Sequence, residues 1–151
     1  MSLETFTELL RPLARDIAAL DASDPTAARA SLEKSWPLSR AETAAIRAAA
    51  EQGLEEGWLT PRENGGIRFG RVAKDLEGAT VDAVLMSTPG PRHRHPNGEF
   101  DLCFTRSGAA RFDGHPEGWV VYPPDSVHVP TVSDGEMLIL YFLPGGAIEF
   151  L

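Results

Sequence analysis

Residues 93–99 read His-Arg-His-Pro-Asn-Gly-Glu, and no other stretch of similar length says as much about the chain. Side chains two residues apart on a β-strand point to the same side, so His93 and His95 can reach one point while Arg94 faces away. The Pro-Asn-Gly turn allows Glu99 to return a carboxylate to that point from the next strand. Two imidazoles and a carboxylate are typical ligands of a divalent transition metal, so the stretch predicts a metal site on a β background.

A further histidine extends this set of ligands. His128 lies in a second strand region, after the turn-forming residues Pro123-Pro-Asp125. The chain has four histidines, and the remaining one, His115, lies in an Asp-Gly-His-Pro turn where a surface side chain is expected. A His-x-His pair alone also occurs in exposed loops that bind nothing. The addition of Glu99 and His128 favours one divalent ion of iron, manganese, zinc or nickel, with positions open for water or substrate.

The sequence around these ligands has a β pattern. From residue 61 onwards, short segments of alternating polarity are separated by turn residues such as Asn64-Gly-Gly and Pro89-Gly-Pro. Many short strands at regular spacing indicate an antiparallel sandwich or barrel. We predict strands near residues 66–73, 80–87, 98–105, 109–113, 118–123, 126–132, 136–143 and 147–151.

The first part of the chain has a helical pattern instead. Apolar residues recur every three or four positions from Leu3 to Leu20, which predicts an apolar helix face that Pro12 kinks or interrupts. Asp24-Pro25 predicts the start of a second helix, which should stop at Pro37. Ser39-Arg-Ala-Glu has the spacing of a capping box and predicts the start of a third.

Length and composition favour one compact unit. The chain has 151 residues and is 42% hydrophobic, which is enough for a single core. The predicted helices are too few to form a stable core of their own. We therefore expect a helical segment, residues 1–60, to pack on a β-barrel, residues 61–151, as one folding unit.

Charge and missing motifs exclude several functions. The net charge of −8 makes nucleic acid and anionic membranes unsuitable partners, since both require clustered cations. Cys103 is the single cysteine, so no intrachain disulfide can form. No signal peptide or membrane-spanning apolar run is recognisable, which predicts a cytoplasmic protein. Phosphate-binding, dinucleotide-binding and serine-hydrolase motifs are missing from the sequence.

The ligand pattern resembles the two motifs of the cupin superfamily. In the second motif Pro123 keeps its place, while Asp125 replaces the usual glycine. The resemblance implies a single cupin barrel (a double-stranded β-helix or jelly roll), here with an N-terminal helical segment. It also implies a homodimer, because cupins often associate through their sheets. The residues that match the metal ligands are His93, His95, Glu99 and His128.

A narrower resemblance covers nearly the whole chain. The helical leader, the segment Trp58–Arg71, the histidine-rich stretch and the closing Leu143–Phe150 are similar to the 4-hydroxylaminobenzoate lyase family of nitrobenzoate degradation. This implies a metal-dependent lyase that acts on a small aromatic acid, releasing ammonia and forming a dihydroxybenzoate. Two alternatives share the same ligands: an Fe(II) cupin dioxygenase, and a non-catalytic cupin that binds a small molecule.

Several side chains near the ligands are candidates for substrate contact. A tyrosine could donate a proton, and an arginine near a turn could clamp a substrate carboxylate with paired hydrogen bonds. Arg68 and Arg71 could bind a substrate carboxylate in the same way as Arg111. Asp101 and Cys103 share the strand face of the metal ligand Glu99, the first as a possible orienting carboxylate and the second as a small buried residue. The predicted catalytic residues are Glu99, Tyr122 and Arg111.

Overall fold

The computed structural model describes residues 1–151, and its helices precede its strands as predicted. The helices are α1 (Leu3–Ala18), α2 (Pro25–Ser35) and α3 (Ala41–Glu56). The strands are β1 (Arg62–Asn64), β2 (Ile67–Leu76), β3 (Ala79–Met86), β4 (His93–His95), β5 (Glu99–Phe112), β6 (Gly118–Tyr122), β7 (Ser126–His128), β8 (Val132–Pro144) and β9 (Glu149–Phe150). The predicted fold class, mainly β with an N-terminal helical segment, is confirmed.

Local capping sets the start of the second helix. The side chain of Asp24 accepts a hydrogen bond from the backbone N–H of Ala27, and Pro25 occupies the first helical turn. Helix α1 continues through Pro12 as one element, so no new helix begins at that proline. None of the three helices is long and apolar enough to cross a membrane.

The third helix begins one residue later than predicted. Its N-cap residue is Arg40, so the capping box expected at Ser39 is wrong. A guanidinium has no acceptor and cannot cap backbone N–H groups. The Arg40 side chain instead pairs with Glu42 in the first turn.

The strands form two antiparallel sheets. The larger sheet has six strands in the order β1-β2-β3-β8-β5-β6, and the smaller has three in the order β7-β4-β9. The smaller sheet pairs His93 directly with His128 across β4 and β7. Glu99 begins β5 in the larger sheet, so the two sheets bring together ligands that are distant in sequence.

Two long strands replace shorter predicted ones. The strands expected at 98–105 and 109–113 are one strand, β5. Ser107-Gly108 is paired with β8 instead of forming a turn, and a register shift lies on either side of it. A side chain at Gly108 would place its Cβ 2.3 Å from the carbonyl oxygen of Asp134, and the φ angle of +66° also favours glycine. Strand β8 likewise runs through Asp134-Gly135, where a turn was expected. The strand predicted at 126–132 ends at His128, and Val132 belongs to β8.

The larger sheet separates two apolar regions. Phe100, Leu102 and Phe104 of β5 lie in the core that includes the buried faces of all three helices. The alternate residues Glu99, Asp101 and Cys103 are also buried, but on the opposite face, towards the smaller sheet. The alternation predicted for this strand is therefore confirmed.

Tryptophan side chains close the contact between helices and sheet. Trp36, at the end of α2, and Trp119, on β6, are both buried, and the Trp119 indole donates a hydrogen bond to the Trp36 carbonyl over 2.9 Å. Trp58 packs against Phe6 of α1 with ring centroids 5.8 Å apart. The helices therefore share one apolar core with the sheet.

Candidate metal centre

Four side chains from three strands converge between the two sheets. The Nε2 atoms of His93 and His128 are 3.1 Å apart, and Nε2 of His95 lies 3.1 Å from Oε2 of Glu99. One donor atom from each of the four residues lies within 4.8 Å of all the others. Ligands about 2.1 Å from one ion, at tetrahedral or octahedral angles, are separated by about 3 to 3.5 Å. The cluster therefore has the dimensions of a coordination sphere.

Each histidine is held by its other ring nitrogen. Nδ1 of His93 donates to the carbonyl oxygen of Pro91 over 2.9 Å, and Nδ1 of His128 donates to the Asp113 carboxylate over 2.6 Å. Nδ1 of His95 lies 2.9 Å from the hydroxyl of Ser126. A proton on Nδ1 leaves the Nε2 lone pair unprotonated and directed at the cluster.

The cluster is poorly satisfied without a cation. Both rings donate through Nδ1, so in the neutral forms the Nε2 lone pairs of His93 and His128 face each other with no proton between them. Nε2 of His95 and Oε2 of Glu99 are buried and, although they lie 3.1 Å apart, neither makes a hydrogen bond. Burial also lowers the pKa of His93, which keeps its imidazole neutral and suited to a metal. Three imidazoles and one carboxylate fit a divalent ion.

Asp113 is a functional candidate that the sequence did not reveal. Its carboxylate accepts hydrogen bonds from His128, from the hydroxyl of Tyr122 and from the backbone N–H of Thr131. Burial alone would raise the pKa of Asp113, but these hydrogen bonds outweigh it and hold the pKa below its usual value. Asp113 is therefore an anion that fixes the His128 ring.

Replacing Asp113 by asparagine should weaken metal binding without removing a ligand. We expect the dissociation constant for the ion to rise by about 10- to 100-fold, the usual cost of losing a carboxylate behind a metal-bound histidine. Competition with a chromophoric chelator measures this constant. Tyr122→Phe removes one hydrogen bond to the same carboxylate, so its effect should be smaller and should not add to that of Asp113→Asn. Full additivity of the two substitutions would contradict this arrangement.

Tyr122 lies beside the cluster with its hydroxyl engaged. Its ring centroid is 4.4 Å from that of His128 and 5.5 Å from that of His95. Burial and the Asp113 carboxylate raise the pKa of Tyr122, so the phenol stays protonated and donates to Asp113. The structure therefore brings Tyr122 against two of the predicted ligands.

Arg111 lies apart from the cluster. The register shifts in β5 reverse the strand alternation, so Ala110 and Phe112 face the interior while Arg111 is exposed. Its guanidinium donates to the carbonyl oxygen of Gly114 over 3.2 Å. His115 lies in the neighbouring turn, outside the cluster, as its sequence context predicted.

Two further residues on the Glu99 face are buried. Asp101 is fully buried, and burial together with the Glu99 charge raises its pKa well above the usual value. Burial likewise raises the pKa of Cys103, which is a free thiol in the interior. A protonated, inaccessible thiol is a poor nucleophile, in agreement with the structural role predicted for it.

A cavity of about 420 Å³ adjoins the cluster. His93 and Glu99 form one part of its wall, and Arg71 and Asp82 form another. Most of the remaining wall is apolar. The cavity has the size of a site for a small organic molecule. Its apolar lining includes Ile67, Phe69, Val84, Met86, Leu143 and Ile148.

Comparison with known proteins identifies relatives by sequence. Residues 9–150 match the model of the family described as PnbB, 4-hydroxylaminobenzoate lyase. A 4-hydroxylaminobenzoate lyase of Nocardioides sp. (strain LMS-CY) is 28% identical over 119 residues, covering 70% of this chain and 70% of that protein. A protein of the same name from Pseudomonas putida is 27% identical over 119 residues, covering 65% and 68%.

Solved structures with a similar arrangement have low sequence identity. DMSP lyase DddQ from Ruegeria pomeroyi DSS-3 aligns with a TM-score of 0.48 at 18% identity, over 81% of this chain and 75% of that one. An RmlC-like cupin protein from Ralstonia eutropha JMP134 aligns with a TM-score of 0.45 at 16% identity, over 58% and 61%. With its two antiparallel sheets and the ligand cluster between them, the present chain has the predicted cupin fold.

Proposed function

The chain belongs to the 4-hydroxylaminobenzoate lyase family, and on that basis we propose that it releases ammonia from 4-hydroxylaminobenzoate in a metal-dependent reaction that forms a dihydroxybenzoate. The observation that carries this proposal is the ligand cluster of His93, His95, Glu99 and His128 in the wall of an apolar cavity. A metal-dependent lyase needs both features together, since the ion must meet a small ring away from bulk water.

The proposed reaction balances without an external oxidant or reductant. One water molecule is consumed and one ammonia is released. The carbon–nitrogen and nitrogen–oxygen bonds of the hydroxylamino group and one ring carbon–hydrogen bond break, and two carbon–oxygen bonds form on the ring. The ring hydrogen leaves as a proton and, with the protons of water and of the hydroxylamino group, completes the two hydroxyl groups and ammonia. The ring is oxidised as the nitrogen is reduced to ammonia, so the electrons remain within one molecule. A bound divalent ion would supply Lewis acidity at an oxygen atom and would lower the pKa of bound water.

The chain's own residues would bind and orient the reactants. The three imidazoles and Glu99 would hold the ion, and Asp113 fixes the ring of His128. Tyr122 supports this carboxylate through its hydroxyl, so we propose a positioning role for it. The apolar wall around Phe69 and Met86 excludes water from the face of the ring.

The test is an anaerobic product assay with the purified, metal-loaded protein. We expect ammonia and a dihydroxybenzoate to form in equal amounts from 4-hydroxylaminobenzoate, without oxygen or an added reductant. Prior treatment with a chelator should abolish both products, and returning the ion should restore them. Failure to release ammonia would reject the lyase. Oxygen uptake with a catechol would then indicate the dioxygenase, and ligand binding without turnover would indicate a binding protein.

A further inference from the structure

Arg71 is the one permanently cationic side chain in the wall of the cavity. It lies on β2 and shares a strand face with Ile67 and Phe69, which also line the cavity. Arg68, on the opposite face, donates to the carbonyl oxygen of Leu54 at the end of α3 instead. The other charged side chains in the wall are Asp82, which pairs with Arg71, and the predicted metal ligand Glu99, so Arg71 is the group in the wall that can bind an anion directly.

The Arg71 guanidinium is oriented by a partner that uses only part of it. Asp82, opposite Arg71 on β3, accepts a hydrogen bond from Nε over 2.5 Å. Neither terminal nitrogen of Arg71 has a hydrogen-bond partner within the protein. Two parallel N–H donors therefore remain in the geometry that matches the two oxygens of a carboxylate.

The span from Arg71 to the ligand cluster suits one aromatic ring. Arg71, Asp82, Tyr141 and Asp101 are successive partners across β2, β3, β8 and β5. Three strand intervals place the Cα atoms of Arg71 and Asp101 at most about 14 Å apart. Glu99 lies two residues from Asp101 on the same face. The side chains occupy part of this span, which leaves room for a benzene ring with a substituent at each end.

We propose that Arg71, oriented by Asp82, binds the carboxylate of a para-substituted benzoate and so directs the opposite substituent towards His93 and Glu99. The inference rests on the proposed function for the chemical nature of that substituent. It replaces the assignment of this role to Arg111, because Arg111 faces outwards and does not line the cavity. Arg71 thereby determines the specificity for acids.

The experiment compares two inert probes by calorimetry on the metal-loaded protein. 4-Hydroxybenzoate and 4-hydroxybenzamide both present a phenol to the ligand cluster, but only the first has a negative charge. We expect the wild-type protein to bind the acid at least about tenfold more tightly than the amide. Arg71→Met should weaken binding of the acid by about 10- to 100-fold and leave binding of the amide unchanged. Arg71→Lys retains the charge without the paired donors. Its affinity for the acid should lie between those of the wild-type protein and Arg71→Met.

The control is Arg15→Met. Arg15 forms a comparable exposed ion pair with Glu77, and neither residue lines the cavity. This variant should keep the wild-type preference for the acid. Thermal unfolding of each variant confirms that it is folded. The inference is overturned if Arg71→Met retains the preference or if the wild-type protein has none. Probe binding requires no turnover, so a preference that depends on Arg71 would stand even if the ammonia assay rejected the lyase.

Discussion

Replacing His95 by alanine is expected to abolish ammonia release. His95 is fully buried, and its Nε2 is an unsatisfied atom aimed at Glu99, so alanine removes one of four ligands from the centre of the site. Lewis-acid assistance contributes several kcal/mol to reactions of this class. At 1.36 kcal/mol for each factor of ten, the predicted loss in kcat/KM is about a thousandfold or more. Steady-state ammonia release measures it.

For the same variant we also predict the effect of the ion on thermal stability, which does not depend on activity. An ion that binds only the folded chain, at one hundred times its dissociation constant, stabilises that chain by about 2.7 kcal/mol. Adding the ion should therefore raise the Tm of the wild-type protein but not that of His95→Ala. His115→Ala is the matched control, because His115 lies outside the cluster. Equal metal-induced shifts in Tm for His95→Ala and the wild-type protein would contradict the assigned ligand set.

Replacing Phe6 by alanine is expected to destabilise the whole chain by about 3 to 5 kcal/mol, the usual cost of removing a buried phenylalanine. Phe6 lies on α1 and is fully buried in the core that also contains Phe100 and Phe104 of the larger sheet. If residues 1–60 and 61–151 form one folding unit, helices and strands should lose their structure in a single transition at lower denaturant concentration. Denaturant unfolding followed by circular dichroism and by tryptophan fluorescence measures this change.

Phe150→Ala is the control for that substitution. Phe150 is 64% exposed, so the same change of side chain should alter the free energy of unfolding by no more than about 0.5 kcal/mol. Two separate transitions in Phe6→Ala, with the strands retained after the helices unfold, would show that the helical segment and the barrel are independent units.

The residues that the sequence identified are those joined by short-range geometry. His93 and His95 are related by strand alternation, and Glu99 follows after a single turn, so their convergence needs little knowledge of the remaining fold. The position of His128, after a turn in a second strand region, indicated a fourth metal ligand. Its pairing with His93 across the smaller sheet is a long-range contact that only the structure supplies.

The structural details that the sequence did not reveal depend on long-range pairing. Asp113 lies in a turn, where an aspartate ordinarily faces solvent. It reaches His128 only because β5 continues beyond Gly108 to Phe112. The register shifts on either side of Ser107-Gly108 also explain why Arg111 faces outwards. The sequence does not reveal them, because a glycine in such a pattern predicts a turn as readily as a bulge. The sequence does not distinguish Arg71 from Arg68, because it does not show which face of β2 lines the cavity.

The most direct test of the central claim is a titration of the metal-stripped protein with the divalent ion that it carries when purified. Bound ion and ammonia release from 4-hydroxylaminobenzoate are followed in the same samples. We expect activity to rise in proportion to bound ion and to reach its maximum at one ion per chain, and we expect His95→Ala to remain inactive throughout. Full ammonia release by the metal-stripped wild-type protein, or by His95→Ala, would contradict it.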